Sequence, residues 1–133
     1  YAQGRWHFVG KTIAYTASSR SLAMLERLVN DTTDILSTNR SITTIQIPDD
    51  LQIIRIVASD LPKAWDDHPY ITETQALGSD WLASMDAAVL QVPSSLCPDE
   101  YNYLINPLHT DVSKIKCIDS KDFFYPNRLA VKL

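Results

Sequence analysis

Three side chains near the start of this chain have types and spacing that could do chemistry on a phosphate-bearing ligand. Arg5 stands in Gly4-Arg5-Trp6-His7, Tyr15 in Ile13-Ala14-Tyr15-Thr16-Ala17, and Glu26 in the apolar run that follows. A guanidinium grips phosphate oxygens in pairs, a phenol ring stacks on a planar base, and a carboxylate stabilises positive charge developing on a sugar. Such a set can hold the phosphates of a dinucleotide, stack on its nicotinamide and steady a cationic ribose. Far along the chain, Val92-Pro93-Ser94-Ser95 adds a hydroxyl at Ser94, and Asn102-Tyr103-Leu104-Ile105-Asn106-Pro107 forms a second distinctive stretch.

Each of these residues also has an ordinary reading. An acid beside an apolar helical stripe must find a partner or turn to water. The residues one turn from Glu26 are Leu22, Ala23, Val29 and Asn30, so its own helix offers no ion pair. Alone, Glu26 is as readily a boundary glutamate as a site acid. Arg5 alone reads as a surface arginine, Tyr15 as a strand aromatic in the core, and Ser94-Ser95 as a turn or helix cap. A nucleophilic triad of Ser94, His109 and an aspartate lacks the Gly-x-Ser-x-Gly elbow. His7, His68 and His109 are too scattered for a metal centre and read as packed or solvated. Cys97 and Cys117 share no Cys-x-x-Cys spacing, so they read as two buried free thiols and no metal is expected.

The elements that must position these groups are partly legible. Residues 11–17 read as a short strand with Ile13 and Tyr15 on one face. Ser18 and Ser19 are good N-caps for a helix whose apolar face would be Leu22, Leu25 and Val29, with Asn30-Asp31 as a stop. Residues 41–47 and 52–58 read as strands forming a hairpin or lying side by side. Residues 61–78, with Pro62 and Pro69, read as turns joined to short helices, and residues 80–85 as helical. The apolar run 87–92, ended by Pro93, predicts a buried core strand with Ser94 just beyond its end. Residues 103–108 read as a connection, and 114–118 as a last strand before a tail carrying Phe123, Phe124 and Tyr125.

The bulk numbers exclude several classes. A chain of 133 residues with 45% apolar content suits one core. The net charge of −4 argues against a broad nucleic-acid surface, so an anionic ligand needs a locally focused positive site. No apolar run approaches membrane-spanning length and no secretory leader is visible, so a cytoplasmic location is expected. Without a regular βαβ rhythm or a Gly-rich strand-to-helix turn, the chain predicts an α+β fold and neither a Rossmann nor a P-loop site.

The order of the motifs resembles the RES-domain toxin family, named for an arginine, a glutamate and a serine. The likeness runs through Gly4-Arg5-Trp6, Val9-Gly10, Tyr15-Thr16-Ala17, residues 22–26, Ile45-Gln46-Ile47-Pro48-Asp49, Leu61-Pro62-Lys63-Ala64-Trp65, residues 74–78, Val92-Pro93-Ser94-Ser95 and residues 102–107. It implies a compact mixed β core with short helices, similar to the ADP-ribosyltransferase fold, in one RES-like domain spanning residues 1–133. Family members carry a further strand upstream with another arginine, and the start at Tyr1 suggests a chain that begins inside a longer product. The resemblance implies the toxin of a bacterial toxin–antitoxin system that degrades NAD by cleaving the nicotinamide–ribose bond, with water or phosphate as acceptor. Glu26 and Arg5 would be catalytic, with Arg5, Tyr15 and Ser94 holding the substrate and no cofactor besides NAD itself. The implied partner is a helix-turn-helix, Xre-like antitoxin, with self-association of the toxin inside that complex and no direct contact with nucleic acid or membrane. Protein ADP-ribosylation through the same pocket, or a non-catalytic interaction module, are the alternatives.

Overall fold

The computed structural model describes residues 4–30 and 39–131. The expected α+β architecture is what it shows: two helices, two separate sheets and three short 3-10 turns. A four-stranded sheet is built from β1 (Ala14–Ala17), β3 (Ile53–Arg55), β4 (Val89–Pro93) and β5 (Tyr101–Ile105), in the spatial order β1-β5-β4-β3. The β1–β5 and β5–β4 pairs are antiparallel and the β4–β3 pair is parallel. A two-stranded antiparallel ribbon joins β2 (Arg40–Gln46) to β6 (Lys116–Phe123), with a register shift between Thr44 and Ile45.

Register fixes which residues share a face of the larger sheet. Tyr15 lies opposite Leu104, which lies opposite Leu90; Ala17 lies opposite Asn102, which lies opposite Val92. Side chains alternate along a strand, so Tyr15, Asn102, Leu104, Leu90 and Val92 face one way. That face carries a core of Trp6, Trp65, Trp81, Leu90, Val92 and Leu104. The other face buries Leu51, Ala88, Val89 and Ile105 against Ile45 and Ile47 of the ribbon side. Covered on both faces, β4 is buried along its whole length, Gln91 included, as its largely apolar sequence predicts.

Helix α1 (Arg20–Asn30) begins where its serines say it should: Ser19 Oγ accepts from the Leu22 amide at 3.1 Å. Its buried face differs from the expected one. Leu22 is buried, but Leu25 is 43% and Val29 57% exposed, because the helix turns its Glu26 side toward the sheet. Helix α2 (Thr72–Ser84) replaces the expected turns and separate short helix with a single helix running through Gly78. Its buried residues are Thr74, Gln75, Gly78, Ser79 and Trp81, so apart from Trp81 the buried positions are small or polar and leave little apolar periodicity to read.

Three more expectations are corrected. The segments at 41–47 and 52–58 do not pair: β2 joins β6, and the shortened β3 joins β4. Residues 103–108 are not a connection, since β5 is an inner strand of the main sheet. The thiols are not buried, for Cys117 is exposed and Cys97 half-buried.

Gly78 marks the closest approach of α2 to the rest of the fold. A Cβ added there would sit 1.8 Å from the Trp6 carbonyl oxygen. Alanine is intrinsically the better helix former by about 1 kcal/mol, yet here the overpacking should dominate. Gly78→Ala is expected to lower unfolding stability by about 1–3 kcal/mol in urea titration; a stabilised variant would show that α2 and Trp6 are not held this close.

Candidate active site

Arg5 is positioned by a tight turn. Gly4 and His7 exchange backbone hydrogen bonds at 3.1 and 3.4 Å, with Arg5 and Trp6 at the corners. From α2, Gln75 Nε2 donates to both the Gly4 and His7 carbonyl oxygens, at 3.0 and 3.4 Å, and locks the turn to the helix. Trp6 enters the core beside Trp65, their ring centroids 6.5 Å apart. Arg5 extends the other way. Its Nη1 donates to the Trp65 and Asp67 carbonyl oxygens at 2.7 and 2.8 Å, and its guanidinium lies 5.0 Å from the Tyr70 ring centroid. Burial pulls the Arg5 pKa below its ordinary value, while Tyr70, Asp66 and Asp67 oppose that shift. A guanidinium stays charged under such a shift, so the result is a fixed and partly desolvated cation.

Tyr15 stands beside it. Its hydroxyl is hydrogen-bonded to His7 Nδ1 at 2.6 Å while its ring is 44% exposed. Gly4 makes this possible, since a Cβ there would lie 2.7 Å from His7 Cε1 and 2.8 Å from the Tyr15 oxygen. Burial of the hydroxyl raises the phenol pKa, and a Trp6 backbone hydrogen bond only partly opposes that. Tyr15 is therefore a neutral ring anchored at its polar end and open on its apolar surface.

Glu26 is held from two later segments. Ser94 Oγ donates to Glu26 Oε2 at 3.0 Å, and Asn102 Nδ2 donates to Oε1 at 2.8 Å. Ser94 is fully buried and its Oγ accepts from the Leu96 and Cys97 amides at 3.2 and 3.3 Å, which directs its proton toward the carboxylate. Asn102 Nδ2 also donates to the Thr16 carbonyl oxygen at 3.1 Å, tying Glu26 to the strand that bears Tyr15. The start of α1 is fixed to the same region. Ser19 Oγ donates to Glu100 Oε1 at 3.1 Å, and the Ser18 amide donates to the Tyr101 carbonyl oxygen at 2.9 Å.

The sequence-derived candidates thus fall into two groups, Arg5 with Tyr15 and Glu26 with Ser94. They adjoin on one face of the main sheet: Tyr15 lies opposite Leu104, two residues from Asn102 on the same side of β5. Such diagonal neighbours are about 7–8 Å apart. Beside Tyr15 opens a cleft of about 740 Å³ between β1, α1 and β2, with Arg20, Arg27 and Arg40 among its walls; of the four candidates only Tyr15 lines it. Another hollow, of about 580 Å³, involves Ile45, Leu51, Ile53 and Tyr103 and includes none of the four candidates.

Two residues of this arrangement escaped the sequence reading. His7 sat inside a recognised motif, but a lone histidine gives no sign of which side chain it will meet. Asn102 carried a usable signal, because asparagine is disfavoured inside a strand and needs a reason to be there. The Ser94–His109 pairing has no counterpart: His109 Nε2 is bonded to the Met85 carbonyl oxygen at 3.0 Å, and Ser94 to Glu26. Among the described residues no three His, Cys, Asp or Glu side chains gather as metal ligands would, and no helix is long and apolar enough to cross a membrane.

An α+β core whose arginine, tyrosine, glutamate and serine occupy these positions defines a class: the chain belongs to the RES domain family, whose model matches residues 1–126. Among its relatives is a protein named Prs ADP-ribosylating toxin from Sphingobium sp., 40% identical over 131 residues, which cover 97% of this chain and 81% of that protein. Proteins named Toxin Res from Photorhabdus laumondii and Pseudomonas putida are each 37% identical, over 127 and 129 residues. These alignments cover 95% of this chain in both cases, and 81% and 85% of the respective relatives.

Two expectations follow from the site itself. Ser94→Ala removes a donor to Glu26 and strands two amides that bond to its oxygen, so unfolding stability should fall by about 1–3 kcal/mol. A phenol whose folded pKa lies above its ordinary 10.0 contributes stability that is intact below that pH and lost as the pH climbs past it. Tyr15→Phe should therefore flatten the alkaline decline in thermal stability; an unchanged slope would mean that Tyr15 ionises like a free phenol.

Proposed function

We propose that this protein is a toxin that consumes NAD by breaking the bond between nicotinamide and ribose. The observation that carries the reading is the Glu26 carboxylate, bonded at both oxygens by the neutral donors Ser94 and Asn102. Cleavage of an N-glycosidic bond passes through an oxocarbenium-like sugar, and a fixed anion beside it acts mainly on the transition state. Neutral donors orient that anion without cancelling its charge.

In this reading Arg5 grips the diphosphate with the part of its fork that faces away from the Trp65 and Asp67 carbonyls. Tyr15, held at its hydroxyl by His7, offers its ring to the departing nicotinamide. Ser94 fixes the Glu26 rotamer. The cleft of about 740 Å³ next to Tyr15 is within the range of small-molecule sites. NAD is the substrate, and the residues named supply the chemistry with no further cofactor. Water or phosphate takes the ADP-ribosyl group in the first form of this reaction. A relative named for ADP-ribosylation supports a second form, in which a protein side chain takes it. The toxin names of the other relatives support an antitoxin as partner; that it is a helix-turn-helix, Xre-like protein, that the toxin self-associates within that complex and that it acts in the cytoplasm are part of the same proposal.

Incubation with NAD labelled in its ADP-ribose half tests both forms. Label released as ADP-ribose or its phosphorylated form supports degradation, and label fixed to protein supports transfer. Glu26→Gln should fold as the wild type does and lower turnover by roughly 10² to 10⁴. Undiminished turnover in that variant removes Glu26 from the mechanism, and intact NAD with the wild type in both assays removes the function.

A further inference from the structure

We infer that Asn102 is a positioning residue that sets the direction of the Glu26 carboxylate and couples it to the strand bearing Tyr15. The proposal rests on the NAD-cleaving reading for its catalytic consequence, and on geometry for the coupling itself. Nδ2 of Asn102 carries two bonds, to Glu26 Oε1 at 2.8 Å and to the Thr16 carbonyl oxygen at 3.1 Å. An amide nitrogen has two hydrogens, so this pair of bonds uses both. Thr16 is the chain neighbour of Tyr15, and one planar group therefore fixes the acid relative to the ring.

The choice of an amide has a consequence that lysine or arginine would not reproduce. A cation at this distance would neutralise the carboxylate, whereas the amide satisfies the oxygen and leaves the charge available. Ser94, the other partner, is likewise neutral. The charged or titratable groups on the surrounding elements are Arg20 and Arg27 on α1, Tyr15 on β1, Cys97, Asp99 and Glu100 before β5, Tyr101 and Tyr103 on β5, and Tyr125 against the Met24 carbonyl. The carboxylate's own side-chain bonds go to Ser94 and Asn102, which do not titrate.

Two variants test the assignment, with folding checked by circular dichroism. Asn102→Ala should lower kcat for NAD cleavage about 10- to 100-fold, with the KM for NAD within about twofold of the wild type, because the acid is misdirected and the ligand contacts remain. Asn102→Asp keeps the shape of the side chain and sets a second carboxylate against Glu26. Like charges this close raise the apparent pKa of the pair, so the acid limb of the rate profile should move up by about one pH unit or more. A residue needed only for folding would depress the rate evenly at every pH. Full kcat in Asn102→Ala, or an unmoved acid limb in Asn102→Asp, overturns the inference. Should the wild type leave NAD untouched, the functional reading fails separately. The ¹³C resonance of the Glu26 carboxyl, assigned by its loss in Glu26→Gln, then decides: titration displaced upward in Asn102→Asp relative to the wild type upholds the coupling, and unchanged titration ends it.

Discussion

The pair of bonds that Ser94 and Asn102 make to Glu26 is the constraint around which the rest of the molecule is arranged, because it joins three segments remote in sequence. Ser94 directly follows β4, Asn102 lies in β5, and Glu26 sits on the helix that follows β1. A carboxylate brought against a sheet must have its oxygens satisfied or return to water. The fold meets that demand by stitching the start of α1 to the start of β5 through Ser18, Ser19, Glu100 and Tyr101. Those contacts set the height of the helix over the sheet, and Glu26 then reaches its two donors.

The other half of the site is held by packing together with polar bridges. Trp6 is buried, and Gly78 lets α2 come against its backbone, so the turn bearing Arg5 has little freedom. Gln75 donates to the same two carbonyl oxygens, of Gly4 and His7, that close that turn. Placing the arginine this way carries a desolvation cost, visible in the downward pull on its pKa. Two carbonyl oxygens and the face of Tyr70 offset that cost. A chain with net charge −4 thereby keeps a cation focused at one place, which is what an acidic protein needs if it is to attract an anion.

What could be read from the sequence follows the range of the forces involved. The Ser19 cap was legible because capping is a contact within one helical turn, and β4 because burial on both faces leaves an apolar run broken only by Gln91. Arg5, Tyr15, Glu26 and Ser94 were legible as residue types in motif order, although nothing local said that Ser94 would bond to Glu26. The pairing of β2 with β6 spans much of the chain, and no pattern in residues 41–47 specifies that partner. Helix α2 was hidden because its buried side, apart from Trp81, uses Thr74, Gln75, Gly78 and Ser79, which serve close approach and hydrogen bonding more than apolar area. β5 was hidden for a related reason. It starts with Tyr101-Asn102 and is followed by Asn106-Pro107, so its polar residues resemble a loop until Asn102 is seen gripping Glu26 and Asn106 is seen buried against Leu82.

Those concealed elements have something in common: the residues that disguise them are the ones that position the site. Gln75 and Gly78 weaken the helical signal of α2 and fix the Arg5 turn. Asn102 weakens the strand signal of β5 and fixes Glu26. A sequence optimised only for regular structure would place apolar residues at all three positions, and would lose both the cation's mount and the acid's. Departures from local propensity are therefore the strongest pointer in this chain to where chemistry is arranged, since each costs local stability that a long-range contact, polar for Gln75 and Asn102 and steric for Gly78, restores.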